Sequence, residues 1–254
     1  MTAPRLAFLA SPVPIAQEAQ ALLALRYGDH PLDKADIIVA LGGDGFMLQT
    51  LHGTQDLPAP VYGMNRGTVG FLMNEYAPDG LIERLAEAET AEINPLRMRA
   101  QTVAHGMQEA LAINEVSLLR QGPQAARLAI NVDGRERMPE LVCDGALVAT
   151  PAGSTAYNYS AHGPILPIGS GVLAITAVAA FRPRRWRGAL IPKGAKVRID
   201  VLEAEKRPVM ADADSRTVGS VRYVEIESAP DVCHRLLFDP GHGLEERLLQ
   251  EQFV

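Results

Sequence analysis

Three clusters in the sequence have residue types and spacing suited to chemistry. The first is Gly42-Gly43-Asp44-Gly45, which follows the apolar run 36–41 and precedes Phe46-Met47-Leu48-Gln49-Thr50-Leu51. Glycines between a strand and a helix let backbone N–H groups approach phosphates, and the helix N-terminus favours negative charge. An aspartate there repels phosphates unless a cation bridges them or a proton must be taken from a hydroxyl. Asp44 is therefore a candidate general base or a metal-linked group, with a simple helix cap as the structural alternative.

The second cluster runs from Cys143-Asp144-Gly145 to Pro151-Ala152-Gly153-Ser154-Thr155-Ala156-Tyr157. A strand leads into a loop of small residues that exposes backbone donors and acceptors. Ser154, Thr155 and Tyr157 add hydroxyls, and Tyr157 can stack on a flat ring. An ordinary turn of small residues is the plain alternative. Ala152 and Ala156 occupy the positions where a serine-hydrolase elbow needs glycine, which disfavours that chemistry. The third cluster, Asn114-Glu115, sits in an apolar setting. Neighbours in a strand face opposite ways, so both side chains reach one ligand only at a strand end or bulge. An amide beside a carboxylate suits adenine and ribose edges; two solvated side chains are the alternative.

Other features say less. Gly63-Met64-Asn65-Arg66-Gly67-Thr68-Val69-Gly70 reads as a substrate wall or a tight crossover. Arg182, Arg184, Arg185 and Arg187 flank Trp186 and suit either phosphate or a solvated face. The six histidines lack metal-ligand spacing. No lysine follows a glycine, which excludes a Walker A loop, and the Asp-Phe-Gly and His-Arg-Asp triplets of protein kinases are missing.

The elements that must position these residues change character along the chain. Up to about residue 95, strands at 5–10, 36–41 and 60–64 alternate with helices at 13–25, 46–51 and 79–89. Ile15, Ala19, Leu22 and Leu23 are expected to form the buried face of the first helix, and Leu81, Ile82, Leu85 and Ala88 that of the third. This pattern predicts an α/β domain with a mostly parallel sheet over 1–95. Residues 96–233 offer strands at 128–132, 141–150, 172–178, 195–201 and 221–226, with a tight turn at Asp133-Gly134 and no convincing helix. They predict an antiparallel, β-rich second domain. Leu236-Leu237-Phe238 and an amphipathic end suggest that 234–254 returns to the first domain.

Composition narrows the class. The 254 residues are 47% hydrophobic, with a formal net charge of −6. That supports a real core and argues against a nucleic-acid or anionic-membrane partner. Two cysteines make neither a disulfide scaffold nor a Cys-rich zinc site. No apolar run is long enough to span a membrane, and the N-terminal residues lack an export layout, so a cytoplasmic protein is expected.

Taken together, Gly42-Gly43-Asp44-Gly45, Gly63 through Leu72, Asn114-Glu115-Val116, and Asp144-Gly145 through Gly153-Ser154-Thr155-Ala156-Tyr157 to Ser160, Gly163 and Pro164 resemble the NAD kinase family in order and spacing, over roughly residues 36–200. The Gly-Gly-Asp-Gly run also occurs in lipid-kinase and phosphofructokinase relatives; the Gly-Ser-Thr-Ala-Tyr block with the Asn-Glu pair is far more specific.

The resemblance implies that the β-rich domain over 96–233 is β-sandwich-like and binds a dinucleotide, and it implies transfer of the γ-phosphoryl group of ATP to the 2′-hydroxyl of the adenosine ribose of NAD. It implies Asp44 as the base and Gly45 beside the phosphates, with Asn114 and Glu115 holding adenine and ribose. Asp144, Ala152, Thr155, Ala156, Tyr157, Asn158, Tyr159 and Ser160 are implied to line the rest of the dinucleotide site, partly across a subunit boundary in a homodimer or homotetramer. Mg²⁺ or another divalent cation is expected to ride on the nucleotide phosphates and water, without dedicated protein ligands. Late in the chain the family's Asp-Gly-Gln triplet is replaced by Asp212-Ala213-Asp214. This puts a substrate contact there in doubt and raises an altered preference between NAD and NADH. A lipid or sugar kinase of the same superfamily, or a non-catalytic dinucleotide sensor, remains the alternative.

Overall fold

The computed structural model describes residues 3–67, 70–104, 106–241, 243–251 and 253. The chain divides into two compact units, Met1–Ile93 with Val232–Val254, and Asn94–Asp231.

In the first unit β1 (Leu6–Ala10), α1 (Pro14–Tyr27), β2 (Ile37–Gly42), α2 (Asp44–Gly53), β3 (Val61–Asn65), α3 (Leu81–Glu87) and β4 (Glu89–Ile93) follow in order. β2 lies between β1 and β3, parallel to both. Ile38, Val39, Ala40 and Leu41 are fully buried, which explains their unbroken apolar run: a central parallel strand has no water-facing side. The face expected for α1 is corrected. Ala16, Ala19 and Leu23 are buried, whereas Ile15 is 48% and Leu22 44% exposed. Alanines spaced three apart let the helix backbone come close to the sheet, and the bulkier side chains are turned out beside that narrow stripe. On α3, Leu81 and Leu85 are buried, while Ile82 and Ala88 only pack against the core margin.

The second unit contains β5 (Leu96–Thr102), β6 (Met107–Ala112), β7 (Glu115–Arg120), β8 (Ala126–Val132), β9 (Arg135–Cys143), β10 (Gly145–Ala149), the short α4 (Tyr157–Ser160), β11 (Val172–Val178), β12 (Gly188–Pro192), β13 (Val197–Val201), β14 (Val209–Ala213), β15 (Arg216–Val218) and β16 (Val221–Ser228). They make two antiparallel six-stranded sheets, ordered β12-β11-β10-β7-β14-β15 and β6-β5-β16-β13-β8-β9. Inward residues of both sheets share one core, the sandwich-like packing expected. Asp133 (φ 52°) and Gly134 (φ 71°) form the β8–β9 turn with two left-handed residues, as such a hairpin needs.

The expected strand 141–150 is broken at Asp144. Cys143 ends β9 in one sheet and Gly145 begins β10 in the other. A side chain at 145 would strike the Leu118 carbonyl, so glycine lets the chain cross between layers there. Apolar character continues through the break because both layers face one core.

The chain then re-enters the first unit with β17 (His234–Phe238) and α5 (Leu244–Glu251). β17 inserts between β3 and β4, parallel to β3 and antiparallel to β4. β4 has no counterpart in the sequence reading. It is a charged edge strand in which only Ile93 is buried, so it carries little apolar signal. Among the described residues no helix is long and apolar enough to cross a membrane.

Candidate active site

The chemistry-bearing residues fall into two clusters, one in each unit. In the first, Asp44 opens α2 at the carboxyl end of β2, the edge where ligands bind in open α/β sheets. Gly43, not Asp44, is the cap residue, and the cap carries no side-chain bond. The Asp44 carboxylate instead reaches across to the loop after β3. It accepts the Phe71 amide at 2.7 Å and the Leu72 amide at 3.0 Å. Gly70 makes this approach possible, because a Cβ there would land on the Asp44 carboxylate. Each Asp44 oxygen keeps a lone pair for a further donor. Gly45 is exposed on the first turn of α2, with open space where a side chain would stand.

Two residues absent from the sequence reading hold that loop from behind. Buried Asn74 donates to the carbonyls of Gly63 and Leu237, each at 3.0 Å, and accepts the Asp239 amide at 3.0 Å. Arg247 on α5 donates to the carbonyls of Phe71, at 3.2 Å, and Met73. Burial pulls the Arg247 guanidinium below its usual pKa, and the charges of Asp44 and Asp239 oppose that pull. Of the segment Gly63–Gly70, Thr68 and Val69 lie outside the described residues.

The second cluster centres on Asn114 and Glu115 where β7 begins. Asp214, in the β14–β15 turn at φ 52°, accepts the Ile113 amide at 2.7 Å and the Asn114 amide at 3.0 Å. The Asn114 carbonyl accepts the Thr150 amide at 2.9 Å. Thr150 Oγ1 donates to the Ile113 carbonyl at 2.7 Å and accepts the Gly153 amide at 3.0 Å. A Cβ at Gly153 would land on the Asn114 backbone, so the two segments interlock. This is the strand-end position at which adjacent side chains can serve one ligand.

Glu115 is mostly buried, and its Oε2 is buried without a hydrogen-bond partner. Burial first, and the Asp214 charge second, push its carboxyl up to about 7, against the Tyr157 backbone amide. The Tyr157 phenol is also raised, by burial and then by the charges of Glu115, Asp144 and Asp212. Asp144 accepts Arg120 Nε at 2.6 Å.

Residues 152–160 form a 3₁₀ turn and then α4. Ala152 is buried; Thr155, Ala156 and Tyr157 are partly exposed; Tyr159 and Ser160 face solvent. Asn158 is wholly buried, with its amide committed to the fold: Nδ2 donates to the Ser154 carbonyl at 3.1 Å and the Pro164 carbonyl at 2.9 Å, and Oδ1 accepts Thr176 Oγ1 at 2.6 Å. Ser154 Oγ is likewise occupied, donating to the Pro151 carbonyl at 2.7 Å and accepting the Leu166 amide at 3.0 Å. Arg182, Arg184, Arg185 and Arg187 are all exposed, and Trp186 packs on the core margin. Among the described residues no three His, Cys, Asp or Glu side chains converge as a metal site.

Residues 17–93 match the ATP-NAD kinase N-terminal domain family, and residues 113–230 the ATP-NAD kinase C-terminal domain family. The chain is 71% identical over 254 residues to a Cereibacter sphaeroides protein named NAD kinase, covering 100% of both. It is 59% identical over 249 residues to the NAD kinase of Caulobacter vibrioides, covering 98% of this chain and 96% of that one. Among solved structures, yeast NADH kinase complexed with NADH superposes with a TM-score of 0.83 at 19% identity, covering 98% of this chain and 88% of that one. An NAD kinase from Archaeoglobus fulgidus in complex with ATP gives a TM-score of 0.74 at 24% identity, covering 98% and 97%. At these identities the solved structures speak for the fold.

Proposed function

The chain belongs to the NAD kinase family, and from that premise we propose that it transfers the γ-phosphoryl group of ATP to the 2′-hydroxyl of the adenosine ribose of NAD, yielding NADP. The observation that carries the catalytic part is the placement of Asp44. It stands at the carboxyl edge of a parallel sheet and on the first turn of a helix, with its carboxylate fixed by the Phe71 and Leu72 amides.

A ribose hydroxyl is a poor nucleophile at neutral pH. A carboxylate within hydrogen-bond reach accepts its proton as the phosphorus–oxygen bond forms and ADP leaves. Rigid holding of that carboxylate contributes alignment, which phosphoryl transfer needs more than covalent chemistry. Gly45 and the N-terminus of α2 face the nucleotide phosphates. Asn114 and Glu115 take the adenine and ribose edges. Asp144, Ala152, Thr155, Ala156, Tyr157, Tyr159 and Ser160 line the dinucleotide, and Asn158 supports that wall from within. A divalent cation, Mg²⁺ in the first instance, supplies charge compensation on the phosphates. Its oxygen ligands would come mainly from phosphate and water. The reading takes the cytoplasm as the compartment and a homodimer or homotetramer as the working form.

The test is NADP formation from ATP, Mg²⁺ and NAD, with Asp44→Asn alongside. The parent is expected to make NADP, and the variant to lose at least about 10²-fold in kcat. A variant as fast as its parent removes Asp44 from the base role. A parent that binds NAD yet makes no NADP is a dinucleotide sensor, and one that phosphorylates a lipid or sugar instead belongs to the wider Gly-Gly-Asp-Gly superfamily.

A further inference from the structure

The second unit holds a buried acid that the phosphoryl-transfer chemistry does not use. Glu115 Oε2 is shut off from water and meets no donor or acceptor of the protein. An ionised oxygen in that position has no hydrogen bond to offset its lost hydration, whereas a neutral carboxyl needs only a partner for its O–H. Burial and the nearest like charge favour the neutral form. Asp214 approaches from the β14–β15 turn with that charge, and together with burial it outweighs the Tyr157 amide of α4, which donates and favours the ionised form. The Tyr157 phenol is itself surrounded by Glu115, Asp144 and Asp212. On the β10 side the paired residue is Ala149, followed by Thr150, whose hydroxyl is committed to Ile113 and Gly153. Asp214 cannot swing away freely, since its two oxygens hold the Ile113 and Asn114 amides.

We propose that Asp214 is a positioning residue that fixes the 113–115 turn and keeps a proton on Glu115, so that Glu115 receives NAD as a hydrogen-bond donor and NAD uptake is gated by that single proton. The inference rests on the reading that Asn114 and Glu115 hold the dinucleotide. Its sign is fixed by the carboxyl's midpoint near 7: the donor is present below that pH and lost above it. NAD carries no group of its own that titrates across this range, and Asp214 occupies the place where the family pattern has an amide.

The experiment measures NAD binding to the full chain by calorimetry without ATP, whose own phosphate titrates near neutrality. Binding by the parent is expected to weaken about tenfold between about pH 6 and about pH 8, the change that follows from a midpoint near 7. At the higher pH, enthalpies measured in buffers of different ionisation heat should report uptake of close to one proton per NAD. Glu115→Gln, which keeps a neutral donor, should bind with no pH break and no proton uptake. Asp214→Asn removes the like charge and should move the break to lower pH. An unbroken profile in the parent overturns the inference. So does a break that survives in Glu115→Gln, or a uniform loss of affinity in Asp214→Asn with the break unmoved, which would make Asp214 merely structural. If NAD fails to bind at every pH and no NADP is formed, the functional reading falls, and this inference with it. If NADP is formed but binding is flat with pH, only this inference falls.

Discussion

The two clusters use the same device for different ends. In each, an aspartate accepts two consecutive backbone amides from a loop far away in sequence: Asp44 from Phe71 and Leu72, Asp214 from Ile113 and Asn114. In the first unit the clamping acid is the one proposed as the reactive group, and the clamp fixes its direction. In the second unit the clamping acid is one step removed and shapes a turn that presents a different acid, Glu115. Asp44 therefore has its geometry set by hydrogen bonds, while Glu115 is left buried with one oxygen unsatisfied. A carboxyl among apolar groups and acids is built to hold a proton.

One glycine beside each cluster offers the sharpest way to break the comparison. At Gly70 the obstacle to a methyl group is the end of the Asp44 side chain, which can rotate away. Gly70→Ala is therefore expected to expel the carboxylate from its amides and lower kcat by about 10²-fold with little change in thermal stability, as judged by steady-state kinetics beside calorimetry. A variant with normal turnover would mean that Asp44 does not need its clamp. At Gly153 the obstacle is the backbone of Asn114, which cannot rotate away. Gly153→Ala should cost about 2–3 kcal/mol of stability by denaturant unfolding and weaken NAD binding with it. Unchanged unfolding would show that the 113–115 and 150–155 segments are not interlocked.

The smallest effect concerns Glu115 and folding. Its carboxyl ionises near 4.5 in the unfolded chain and near 7 when folded, so the folded state binds the extra proton between those values. Its contribution to stability is present at low pH and is lost as pH rises toward 7. Glu115→Gln should accordingly be more stable than the parent by about 1–3 kcal/mol at pH 8, with the gain vanishing near pH 4.5. A gain that does not depend on pH would contradict the protonation difference between the two acids.

Much of this arrangement is legible before any coordinates. The run 36–41 marks a central parallel strand because both of its faces are apolar, and 172–178 coincides with β11. Asp133-Gly134 marks its hairpin because left-handed backbone suits few other residues. The motif residues Asp44, Asn114 and Glu115 stand out by type. Their supports do not. Asn74, Asp214 and Arg247 act through side-chain bonds to backbone across long stretches of chain, and such bonds leave no period in the sequence. Asp214 drew notice only as a departure from a family triplet, and its expected link to the choice between NAD and NADH said nothing of the backbone it holds. The break at Asp144 was hidden because apolar residues on both sides face one core, and the true face of α1 because alanine carries less weight than leucine in a hydrophobic pattern.

The insertion of β17 between β3 and β4 has a consequence for how the protein is made. The ribosome synthesises all of residues 94–231 before it reaches the strand that completes the first sheet. The nascent chain can finish its sandwich while the earlier-made half waits with an open gap beside β3. The loop that holds Asp44 gains its bonds to Leu237, Asp239 and Arg247 only once that late segment is in place, so its final bracing follows the synthesis of the whole second unit.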